Sequence, residues 1–157
     1  MRKVLLITIC SLLLITGCSN NPNEIKNNEV NNSTNEVLET KESDVKMSDI
    51  KVIINDKTYT LKLENNKTVE EFINLLPQTF NMNELNGNEK YVYMDNSLTT
   101  NSYNPKHIEK GDVYLYGDNC LVIFYKSFDT SYSYTKIGHI DNLDDLGNGS
   151  ITAKFEK

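Results

Sequence analysis

The chain predicts a mainly β domain, a closed or nearly closed barrel of short strands with one short helix, preceded by a signal peptide and a disordered tether. Three observations predict it. From residue 50 onward, short β-prone runs alternate with turns bearing Asn, Asp and Gly, while a single stretch has helical periodicity. Residues 1–47 carry no pattern of either kind beyond one apolar run. Many short strands with one helix bury their apolar faces by closing on themselves.

Arg2 and Lys3 precede an apolar run over 4–15, which gives way to small or polar residues. This is the layout of a secretory signal, and the run falls short of the roughly 20 apolar residues a membrane span needs. The run closes within "LLLITGCSNN", at Ile15-Thr16-Gly17-Cys18. That ending resembles the bacterial lipobox. The resemblance implies removal of residues 1–17 as a lipoprotein signal peptide. It also implies a diacylglycerol on the Cys18 thiol and a protein lipid-anchored to the extracytoplasmic face of a bacterial cell membrane. Cys10 is then an apolar filler discarded with the leader.

Loss of Arg2 and Lys3 takes the net charge from -6 to -8, and Arg2 is the only arginine. An acidic chain without arginine lacks the footprint of nucleic-acid binding. It is also repelled by anionic headgroups, so attachment rests on the acyl chains of Cys18 rather than on charge. After cleavage only Cys18 and Cys120 remain, one of them lipidated, and no internal disulfide is expected.

Residues 18–47 are dominated by Asn, Glu, Lys and Ser with isolated hydrophobes. Such a segment buries too little apolar surface to offset its ordering entropy, and it reads as a disordered tether. Residues 48–157 have the size of one domain.

Within that domain, "IKVIINDKTYTLKL" alternates apolar and polar residues about an Asn-Asp-Lys turn, predicting a hairpin of strands 50–55 and 58–63. In "TVEEFINLLP", Thr68 and Glu71 have the spacing of a capping box. Val69, Phe72, Ile73 and Leu76 form a helical stripe, and Pro77 forbids Leu76 the helical region. An Asn-Gly turn then precedes a strand at 90–94. Runs 113–116 and 120–125, joined by Gly-Asp-Asn, form an antiparallel hairpin. The 121–124 run is apolar on both faces, as in a central strand. A strand at 132–140, a polar turn or short helix at 142–146, a Gly-Asn-Gly turn and a strand at 150–155 complete the chain.

The segments "FINLLPQTFNM", "LNGNEKYVYM", "IEKGDVYLYGDNCLVIFYKSF" and "YSYTKIGHI", in that order, resemble a family of small bacterial proteins with a cyclophilin-like fold. The resemblance implies a small β-barrel with a helix closing one end; the opening hairpin and helix also suit a ubiquitin-like β-grasp. Activity in the family is generally unassigned, so no catalytic residue carries over. True prolyl isomerases of this fold use an arginine to polarise the prolyl amide. The mature chain has none, and lysine lacks the planar fork.

Other chemistry is sparse. Cys120 could be a nucleophile activated by His107 or His139, but a lone cysteine opening "CLVIFY" reads more simply as a small buried hydrophobe. The histidines lack metal-pair spacing, so neither metal nor cofactor is expected. Asp112 reads as a turn cap, and "LGNGS" as a plain turn rather than a phosphate cradle. Tyrosines offer more. In an extended 132–137 segment, Tyr132 and Tyr134 share one face; with Ile137 pointing inward both phenols point out, and Tyr93, Tyr103 and Phe128 line the same depression. These five aromatics are the candidate site for a peptide, a sugar or another amphipathic ligand. Tyrosine is also a good strand former, and the same rings read more simply as partly buried packing residues. The function so read is a membrane-anchored lipoprotein presenting a binding domain, the alternative being a divergent prolyl isomerase acting on secreted proteins.

Overall fold

A computed structural model describes residues 48–157. The leader, Cys18 and the 18–47 segment lie outside the described residues. β1 (Ile50–Ile54) and β2 (Lys57–Leu63) form the opening hairpin. Asn55 and Asp56 adopt φ of 48° and 68°, making a two-residue turn whose twist matches that of the strands. Lys57 therefore already belongs to β2.

The helix α1 (Lys67–Leu75) starts earlier than a cap at Thr68 would allow. Asn66 is the cap, its side-chain oxygen accepting the Val69 N–H at 3.0 Å. Thr68 and Glu71 are engaged elsewhere. The Thr68 hydroxyl donates to the Thr99 carbonyl at 2.6 Å, and the Glu71 carboxylate accepts from the Thr99 N–H at 2.7 Å and its hydroxyl at 2.8 Å. The pair that reads as a capping box instead straps a distant loop to the helix. Leu76 is extended, with ψ of 146°, as a residue before proline should be.

Eight further strands follow: β3 (Gln78–Leu85), β4 (Glu89–Tyr93), β5 (His107–Ile108), β6 (Asp112–Tyr116), β7 (Cys120–Phe124), β8 (Phe128–Asp129), β9 (Thr135–Ile140) and β10 (Ile151–Glu156). Sequence patterning missed β3. The 132–140 run is also shorter than expected, since β9 begins at Thr135 and Tyr134 forms only an isolated bridge with Tyr103. Residues 142–146 form an irregular turn.

The strands close into a barrel of order β1-β10-β3-β4-β7-β6-β9-β2, with every neighbouring pair antiparallel, and β5 pairs with β8 as a separate ribbon. This is the closed barrel rather than the β-grasp.

Alternate residues point inward. Ile50, Val52 and Ile54 meet Leu61, Ile123, Ile137, Ala153 and Phe155 in the lumen. Val69 and Phe72 of α1, with Leu76 just after it, complete the same core, the Phe72 ring edge-on to Phe155 at 5.5 Å. Burying each large apolar side chain contributes about 1.5–3 kcal/mol. A second apolar layer lies outside the barrel, where Ile108 and Tyr134 cover Tyr114, Val122 and Phe124. Both faces of β7 are therefore buried, which its doubly apolar sequence anticipates.

One inward residue breaks the pattern. Lys90 is fully buried; its ammonium donates to the Gly147 carbonyl at 2.5 Å and the Gly149 carbonyl at 2.6 Å, and lies 4.7 Å from the centre of the Tyr125 ring. Desolvation holds its pKa below that of a free lysine. The Gly-Asn-Gly turn is thus an acceptor for a buried cation.

Candidate functional site

Lys90 and Val92 face the lumen, so period-2 geometry turns Glu89, Tyr91 and Tyr93 of β4 to the outside. Across the ladder, Tyr91 pairs with Val122, and Cys120 sits between Tyr93 on one side and Tyr116 on the other. Cross-strand partners share a face. Two short side chains, Cys120 and Val122, therefore form a floor with tall tyrosines on either side. The segment entering β9 adds Tyr132 and Tyr134, the end of β3 adds Leu85, and the β3–β4 turn adds Asn86. The result is a depression of about 270 Å³ on the outer wall of the barrel.

Its rings stand nearly at right angles to one another. Tyr91 and Tyr93 are 5.9 Å apart at 81°, and Tyr116 and Tyr132 are 6.1 Å apart at 89°. Tyr93 and Tyr132 are among the most exposed large side chains, at 65% and 61%, whereas Tyr134 is only 5% exposed. Glu89, half-buried at one end, has its pKa raised by desolvation. Burial, with a smaller contribution from the charge of Glu89, pushes the Cys120 thiol up to about 11. The thiol is therefore protonated at neutral pH and serves as floor, not nucleophile.

Of the five aromatics expected together, the structure brings three to this depression: Tyr93, Tyr132 and Tyr134. Tyr132 and Tyr134 both lie on the outer side of the barrel, but only Tyr132 is exposed there; the expectation of two open phenols is corrected for Tyr134. Tyr134 packs 5.5 Å from Tyr114 and 5.6 Å from both Tyr116 and Phe124, because its backbone is drawn onto Tyr103 by a pair of 2.9 Å hydrogen bonds. Tyr103 lies outside the depression, its hydroxyl 3.5 Å from that of Tyr114. Phe128 lies outside as well, stacked 5.5 Å from Phe124. Tyr91, Tyr116 and Glu89 are the members that sequence reasoning missed. Strict alternation in "EKYVY" links 89, 91 and 93, but only an inward lysine tells which face is out.

The remaining candidates are accounted for by local structure. Asp112 caps its turn by accepting the Glu109 N–H at 3.0 Å, and its other oxygen lies 3.0 Å from His139 Nδ1, its ladder partner. His107 Nδ1 is 2.6 Å from Asp129, again a ladder partner. Neither histidine lines the depression. Among the described residues no three His, Cys, Asp or Glu side chains converge as a metal site requires, and no helix is long and apolar enough to cross a membrane. Cys18 lies outside the described residues.

The model of the cyclophilin-like family matches residues 52–156, from β1 through β10. The chain belongs to the cyclophilin-like family. No curated protein and no solved structure matches it. The tyrosine depression of this cyclophilin-like barrel is therefore read from its own residues.

Proposed function

We propose that the chain is a lipid-anchored extracytoplasmic lipoprotein whose cyclophilin-like barrel is a binding module, taking an amphipathic ligand in the tyrosine depression without turning it over. One observation carries the binding reading: five of the nine tyrosines surround a floor of Cys120 and Val122. Tyrosine combines an apolar body with a polar tip, which suits a ligand of mixed character. The volume of about 270 Å³ suits one small molecule or a single side chain rather than an extended peptide. Anchoring rests on the Ile15-Thr16-Gly17-Cys18 ending of the apolar run.

Proton NMR of the full chain with a set of small amphipathic alcohols, amines and sugars tests the binding reading. Shifts that cluster on the rings of Tyr93, Tyr116 and Tyr132 support it. Shifts scattered over the barrel, or centred elsewhere, overturn it.

A further inference from the structure

We infer that the tyrosine depression selects a small organic ammonium cation, seated against the ring faces with the Glu89 carboxylate as its counter-charge. The inference rests on the binding reading above and names its ligand class.

Three features of the depression converge on it. The first is the near-perpendicular setting of the rings in the Tyr91–Tyr93 and Tyr116–Tyr132 pairs. In each pair the edge of one ring covers a face of the other and fixes its setting, which leaves the uncovered π-faces, bearing the negative lobe of the aromatic quadrupole, for a ligand.

The second is Glu89. Its hydrogen bond within the structure is a long one, 3.5 Å from the Asn86 amide, and no lysine or histidine among the described residues lies within ion-pair distance of it. A carboxylate drawn partly out of water without a cation is unfavourable. A cationic ligand supplies the missing partner.

The third is the absence of any positive side chain from the lining, so the site holds no internal competitor for the ring faces or the carboxylate. The neutral Cys120 thiol adds no charge to the floor. The net charge of -6 further favours the approach of a cation over an anion. An alkylated ammonium fits better than a bare metal ion. Its methyl groups bury apolar surface against tyrosine, and a metal would need several oxygen ligands where Glu89 offers one carboxylate.

The test titrates the full chain with choline chloride and, separately, with 3,3-dimethylbutan-1-ol, its neutral isostere, at matched ionic strength, following tyrosine ring resonances. Saturable binding of choline is expected, with the isostere weaker by about tenfold or more. Glu89→Gln should weaken choline by a similar factor, and Tyr132→Leu, at an exposed ring, should do the same. Circular dichroism confirms that each variant is folded. Equal affinity for choline and the alcohol, or choline affinity unchanged in Glu89→Gln, overturns cation selection while leaving a binding depression in place. No saturable shift with either compound overturns both readings.

Discussion

Gly138 sits in β9 opposite Leu63 of β2 and is buried at the seam between the two strands. A Cβ built on it would fall well inside contact distance of the Lys62 carbonyl oxygen and 2.9 Å from Leu61 Cδ1. The carbonyl is backbone, so it cannot swing aside as a flexible side chain would. Gly138→Ala must therefore push β2 away from β9. The seam is short, with three register pairs and an adjoining bond from the Glu64 N–H to the Ile137 carbonyl at 3.0 Å. Loosening two ladder bonds costs about 1–3 kcal/mol. Crowding Leu61, which is fully buried, adds about 1–3 kcal/mol. The expected loss is about 2–6 kcal/mol, a fall in Tm of roughly 8–25 °C for a domain of this size. Gly149→Ala is the control, since a Cβ there meets nothing and the backbone is not left-handed; it should be neutral or slightly stabilising. Thermal unfolding followed by circular dichroism measures both. A Gly138→Ala protein within about 1 kcal/mol of the parent would refute the argument that a backbone carbonyl limits the seam.

Three further outcomes are expected. Cys18→Ala, expressed in a bacterium, should lose fatty-acid labelling and detergent partitioning; labelling that persists would sink the lipobox reading. The full chain should leave cis/trans exchange of a proline peptide at its spontaneous rate, because the barrel domain, residues 48–157, has no arginine to favour the twisted amide; acceleration that survives repurification and disappears in Tyr132→Ala would reinstate an isomerase. Stability should fall as pH rises above about 10, because Tyr59, Tyr114, Tyr125 and Tyr134 have folded pKa values raised chiefly by desolvation and so bind more protons folded than unfolded. Lys90, with its lowered pKa, acts in the opposite sense across this range, since the unfolded lysine is still half protonated at pH 10.5, but it is one group against four tyrosines. For a fully buried ring the loss at pH about 11 approaches 1.4 kcal/mol; denaturant unfolding between about pH 9 and about pH 11 that shows no decline would contradict it.

The fold was legible where residue pattern and burial agree. The β1–β2 hairpin, the β6–β7 hairpin with its Gly117-Asp118-Asn119 turn, and the doubly apolar β7 all follow from alternation and turn chemistry. β3 was not legible, because its inward-alternating positions are Gln78, Phe80, Met82 and Glu84, too few apolar residues to stand out from the Asn-rich surroundings. The capping box misled because Thr68 and Glu71 had a long-range partner that no local spacing reveals. The depression was half legible for a related reason. In "EKYVY" a lysine goes inside while two tyrosines go out, against the usual preference. What reverses it is the turn at Gly147 and Gly149, far away in sequence, which offers two carbonyls to the ammonium.

The last strand of the barrel lies beside the first, with Lys51 opposite Glu156 and their side chains in an ion pair of 2.5 Å. The domain's beginning and end are thus neighbours on one rim. Two mechanical consequences follow. Tension applied between those ends peels β1 from β10 one rung at a time rather than shearing all rungs at once, so the domain should yield at low force. And because the ends adjoin, a short linker could splice them while a new opening is cut at the exposed Gly117–Asp118 bend, giving a circularly permuted barrel with the same walls.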